Sequence, residues 1–106
     1  MSQESAEPHY RPVKRVEIVT NGRETEKIQE LLIKLGVDGY TLFPRVHGYG
    51  DRGEMGGDEM TDTFQNRVLL IACDAEMADR IARRVSPILK TFGGICLVSD
   101  AGYLEH

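Results

Sequence analysis

Apolar and polar residues alternate along Val13–Thr20 (VKRVEIVT), with Val16 and Ile18 on one face, and this two-residue period predicts a β-strand. The period then changes. Ile28, Leu31, Leu32 and Leu35 recur at i, i+3, i+4 and i+7, which is the apolar face of a helix. Asn21 and Glu24 precede them at capping-box spacing, and Gly36 follows where a helix takes a left-handed stop. Tyr40–Val46 (YTLFPRV) predicts a second strand; Pro44 has no N–H for a ladder, so the strand belongs at a sheet edge or leaves the sheet there. Arg67–Cys73 (RVLLIAC) is nearly all apolar, as a central strand is. Asp74 can cap a second helix over Ala75–Ser86, with Met77, Ile81, Ala82 and Val85 inward and Pro87 expected to end or kink it. Ile95–Ser99 (ICLVS) is the fourth strand.

The order strand, helix, strand, strand, helix, strand predicts an α+β fold of the ferredoxin-like βαββαβ type: an antiparallel four-stranded sheet with two helices on one face. The other face is left uncovered, so an oligomer is expected. This topology sets the first strand between the third and fourth. Cys73 and Cys96 are then two strand spacings apart, ~9–10 Å, beyond the ~7 Å between α-carbons that a disulfide tolerates. Residues 1–12, polar and aperiodic with Pro8 and Pro12, read as a flexible N-terminal tail; 13–103 form the domain; Leu104-Glu105-His106 resembles the start of a vector-derived tag.

A chain of 106 residues has room for one domain. Thirteen Lys and Arg against seventeen Asp and Glu leave a net charge of −4, which disfavours a general nucleic-acid binder. No apolar run reaches the ~18–20 residues of a membrane span, and the N-terminus lacks the apolar stretch of a secretory signal, so a cytoplasmic protein is expected. The two cysteines sit in apolar runs without a C-x-x-C partner and read as small buried hydrophobes; with His9, His47 and His106 scattered, no metal site is expected.

His47–Gln65 spans nineteen residues without apolar periodicity, and seven of the eleven glycines fall between Gly36 and Gly57. So long an excursion in a small domain points to binding or partner contact. Gly48-Tyr49-Gly50-Asp51-Arg52-Gly53 fits G-x-G-x-x-G, but Glu54-Met55-Gly56-Gly57 opens no helix, so a dinucleotide fold is excluded. What remains is the capacity of glycine backbone to converge N–H groups on an anion. Gly93-Gly94, near Lys90 and Arg83-Arg84, offers a second such turn. No nucleophile–base arrangement appears, and the loop carboxylates lack calcium-loop spacing. Phosphate or small-anion binding is the chemistry these residues favour, with no catalytic residue assigned.

Gly36-Val37-Asp38-Gly39-Tyr40-Thr41 followed by Val46-His47-Gly48-Tyr49-Gly50 resembles the paired glycine signature of PII signalling proteins. Arg67–Val85 also fits that pattern, and Gly93–Val98 is similar to the family's B-loop and last strand, so the resemblance covers about residues 13–101. It implies a homotrimer that binds adenine nucleotides in the clefts between subunits, with 47–65 as the T-loop that contacts a regulated partner. By the same resemblance the nucleotide lies between Gly48–Arg52 of one subunit and Lys90–Gly94 of the next. Thr41 then contacts the base, Tyr49 and Asp51 line the site, and the Gly48 and Gly50 amides hold phosphate. Phosphate beside Asp51 and Glu54 calls for a cation, and Arg52, or failing it Arg45, is expected to bridge phosphate or bicarbonate.

The departures from the family pattern are specific. The loop is short, Asp51-Arg52 replaces an Arg-Gln pair, Gly94 occupies the B-loop lysine position, and the C-terminal phosphate-holding arginines are missing. They point to the divergent PII-like group associated with bicarbonate transport or carboxysomes. For that group the resemblance implies ADP or AMP, with ATP and cyclic AMP as further candidates, and bicarbonate as a second ligand. The regulated protein, a transporter or carboxysome-related partner, is not named by the sequence. The alternatives are a small nucleotide-hydrolysing enzyme and a CutA-type trimeric metal-tolerance protein.

Overall fold

The computed structural model describes residues 6–46, 48–50, 53–55 and 66–106, with 45, 46, 48–50 and 53–55 through their backbone only. The chain runs β1 (Tyr10–Asn21), α1 (Gly22–Leu35), β2 (Thr41–Val46), β3 (Gly48–Gly50), β4 (Gly53–Met55), β5 (Asn66–Cys73), α2 (Ala75–Phe92) and β6 (Ile95–Leu104). Four strands form one antiparallel sheet in the order β2-β5-β1-β6. This is the ferredoxin-like architecture the order of elements predicts.

Strand alternation decides which side chains meet the helices. Val16 and Ile18 of β1, with Leu69 and Ile71 of β5, are buried against Ile28, Leu31 and Leu32 of α1 and Ala78, Ile81 and Val85 of α2. β5 is central, and β2, which carries Pro44, is an edge strand whose pairing to β5 shifts register between Phe43 and Val46. Cys73 pairs with Lys14 and Cys96 with Ile18, on opposite sides of β1, and both are free thiols.

The ends of α1 follow the chemistry of the caps. The Asn21 side chain accepts from the Arg23 N–H at 2.9 Å. At the other end, Gly36 adopts φ 87°, ψ 28°, while the N–H groups of Gly36 and Val37 donate to Ile33 and Leu32. The capping box itself is not made: Asn21 accepts from the Arg23 N–H rather than that of Glu24, and Glu24 Oε1 has no hydrogen-bond partner among the described residues.

Four expectations are corrected. Helix α2 does not stop near Pro87 but continues to Phe92, because Ile88 and Leu89 beyond the proline still pack on the core. Tyr10–Pro12 are not tail but the first residues of β1, paired with Leu104, Tyr103 and Gly102. For the same reason β6 does not end at Ser99 but runs on to Leu104, and the Glu105 N–H donates to the His9 carbonyl. Finally, the segment read as an unbroken loop contains a short hairpin, β3 with β4, in which Tyr49 pairs with Glu54 and Gly50 with Gly53.

Candidate functional site

The register brings several of the singled-out residues to one end of the sheet. Val46 of β2 pairs with Asn66, the first residue of β5, and Asn66 pairs with Asn21, the last of β1. Ile95 opens β6 opposite Val19, so the Gly93-Gly94 turn sits at this end too. Val46 and Asn66, which flank the 47–65 loop, and the glycine turn therefore line one rim, across three strand spacings of ~14 Å. Asn66 and Thr20 are buried there, so the rim is fixed to the core. The Thr25 hydroxyl adds a bond to the Asn21 carbonyl at 3.0 Å.

Local geometry accounts for the glycine pair. Gly93 takes φ 88°, ψ 171°, a conformation essentially reserved for glycine. Gly94 follows at φ 115° with its α-carbon against the Val19 carbonyl. Together they turn α2 directly into β6. The Gly93 N–H donates to the Leu89 carbonyl at 2.8 Å and is not free for a ligand.

The remaining candidates separate. Gly48, Tyr49 and Gly50 continue from the rim into β3. Lys90 is exposed in the last turn of α2, three residues before Gly93. Thr41 lies away from the rim, opposite Leu70 and exposed on the face without helices. Arg45 is in β2, where its backbone alone is described; Asp51 and Arg52 lie outside the described residues.

Three side chains that sequence reasoning did not single out for a site meet near the rim. Glu24 is buried, Lys27 Nζ stands 3.5 Å from its Oε1, and the same ammonium lies 5.1 Å from the centroid of the Phe92 ring. The i, i+3 spacing of Glu24 and Lys27 is visible in the sequence. The ring from α2 is not.

Titration behaviour is perturbed elsewhere. Burial pushes the Cys96 thiol above its ordinary 9.0, and burial aided by the Asp74 charge does the same for Cys73. At the far end of the sheet Lys14 is raised by its hydrogen bond to Asp100. Among the described residues no group of three His, Cys, Asp or Glu side chains could hold a metal ion, and no helix is long and apolar enough to cross a membrane.

The fold recurs in solved structures. CPII from Thiomonas intermedia K12, bound to ADP, AMP and bicarbonate, is 24% identical with a TM-score of 0.84, over 91% of this chain and 92% of that one. CPII bound to ADP and bicarbonate matches at 25% identity and a TM-score of 0.80, with the same coverage. A protein of Thermus thermophilus described as PII-like is 26% identical with a TM-score of 0.70, over 89% and 90% of the two chains. No curated protein matches the sequence. Residues 13–105 match the family described as nitrogen regulatory protein P-II. That match spans nearly the whole chain, and the chain belongs to the P-II family.

Proposed function

We propose that the protein is a PII-like sensor of adenine nucleotides, ADP and AMP, with bicarbonate as a second ligand. It acts in the cytoplasm as a homotrimer and regulates a protein of inorganic-carbon metabolism through loop 47–65. It binds and signals and is not an enzyme. The observation that carries this reading is the rim. The fold gathers the roots of the long loop and the Gly93-Gly94 turn at one end of a sheet whose relatives include a protein described as bound to ADP, AMP and bicarbonate.

In this reading phosphate lies against Gly48–Arg52 of one subunit and Lys90–Gly94 of the next, Thr41 meets the base, Tyr49 and Asp51 line the cleft, and Arg52 or Arg45 meets phosphate or bicarbonate. A protein that must report on two ligands needs them coupled, and coupling is reciprocal: each strengthens the other by the same factor.

Isothermal titration with AMP, ADP, ATP and cyclic AMP, with and without bicarbonate, tests it. Saturable ADP or AMP binding that bicarbonate tightens, and that Arg52→Ala uncouples, is expected. Absence of any nucleotide binding overturns the reading. Nucleotide binding indifferent to bicarbonate removes the second ligand.

A further inference from the structure

Near the rim lies a carboxylate that neither the core nor the loop accounts for. Glu24 is 4% exposed, and its Oε1 is enclosed with no hydrogen-bond partner among the described residues. A buried charge is unfavourable by several kcal/mol unless it is compensated. The compensation is Lys27, one helical turn on, at 3.5 Å.

Lys27 is not buried with its partner; its side chain is 63% exposed. Its ammonium also stands over the ring of Phe92, the residue before Gly93. One positive charge is thus tethered from two sides, by a carboxylate of α1 and an aromatic face of α2. An ammonium carries three donors and no acceptor. A single long ion pair leaves donors over, and the ring beneath them belongs to Phe92, the residue that leads into the glycine turn.

We propose that Lys27 is a phosphate-contacting residue of the nucleotide site and that Glu24 is the positioning residue that holds it there. This rests on the adenine-nucleotide reading above and names a cation that reading lacks. The exposed Lys90, one of the cations the sequence suggests, makes no ion pair among the described residues. Ordering a free lysine on a ligand loses most of its rotamer freedom. Lys27 has part of that freedom removed in advance, which is the general route by which a preorganised contact gains affinity.

The test is titration of the full chain with ADP, AMP and phosphate-free adenosine, in the wild type and in Lys27→Met, Lys27→Arg, Glu24→Gln and the double variant Glu24→Gln/Lys27→Met. Lys27→Met should weaken ADP and AMP about tenfold or more, as loss of a charged hydrogen bond does, while leaving adenosine unchanged. Lys27→Arg should recover most of the loss, and the salt dependence of ADP binding should flatten in Lys27→Met. Glu24→Gln should weaken ADP by a smaller factor with the charge on Lys27 intact. The double variant has no unpaired buried charge, so its fold is protected, and it should bind ADP as poorly as Lys27→Met. Double-variant affinity equal to wild type, or equal losses for ADP and adenosine, overturns the assignment. A wild type that binds no ADP overturns the nucleotide reading itself, which is a separate result.

Discussion

The α-carbon of Gly94 faces the carbonyl oxygen of Val19 so closely that a Cβ there would overlap it, with Leu89 Cδ2 at 3.0 Å on the same side. The contact joins the start of β6 to the end of β1. It is backbone against residue, so no rotamer change relieves it. Gly36 offers a control: its φ is 87°, but a Cβ there meets nothing within 4 Å. Gly36→Ala should therefore lose only the left-handed penalty, about 1–2 kcal/mol. Gly94→Ala carries a similar penalty and the overlap as well, so its loss should be larger, about 3 kcal/mol or more. Urea unfolding of the two variants beside wild type measures both, and equal losses would remove the steric account of the turn.

Pro87 leaves the carbonyl one turn before it without its helical donor, yet α2 continues for five more residues. The last turns are held by Ile88 and Leu89 on the core and by the Gly93 N–H on the Leu89 carbonyl. Restoring the donor should then help. Pro87→Ala is expected to stabilise the fold by about 1–3 kcal/mol, within the interior-proline penalty. A lower urea midpoint in this variant would contradict it.

The cysteines and Lys14 set a direction for alkaline pH. Each has a folded-state pKa raised above its unfolded value: the thiols by burial, the lysine by its bond to Asp100. A group raised in this way contributes stability that is fully present below the unfolded pKa and is lost as pH rises toward the folded one. For the thiols the loss begins near their ordinary 9.0, and for Lys14 near 10.5. The urea midpoint should fall as pH rises above 9.0, with Lys14 adding to the fall above 10.5, and Cys96→Ala should make the first part of it shallower. At neutral pH both thiols should alkylate slowly, and oxidant should produce no Cys73–Cys96 disulfide.

Periodicity made Val16, Ile18, Ile28 and Leu32 legible as core because each obeys the period of its own element. The readings that failed depend on partners distant in sequence. Arg11-Pro12 looks like tail and the last strand reads as ending at Ser99; both run on as strand because Arg11 pairs with Tyr103 and Pro12 with Gly102. The helix past Pro87 is held by packing, which local propensity does not contain. At the candidate site the glycine turn was legible, since glycine pairs advertise unusual φ. The Glu24, Lys27 and Phe92 contact was not, because it joins two helices that are separate in the sequence.

The face of the sheet turned away from the helices carries the last expectation. Register puts Phe43 opposite Val68, Ile95 opposite Val19 and Leu97 opposite Glu17, all on the side that α1 and α2 leave bare. Phe43 is 45% exposed, Ile95 51% and Leu97 55%. Contiguous apolar surface of this kind marks an association face, and the Arg15–Glu17 ion pair at 3.1 Å gives it one polar feature to fix orientation. A trimer packed through these faces should scatter light as three times the 11.9 kDa chain. In Ile95→Lys/Leu97→Lys the new ammonium groups can reach water in a monomer, and that at position 97 lies across from Glu17, so the monomer should stay folded while the assembly falls apart. Desolvating two such charges per subunit outweighs the apolar contact they replace. Light scattering with circular dichroism separates the outcomes: a folded monomer is expected, and a variant that remains trimeric would move the interface to another face.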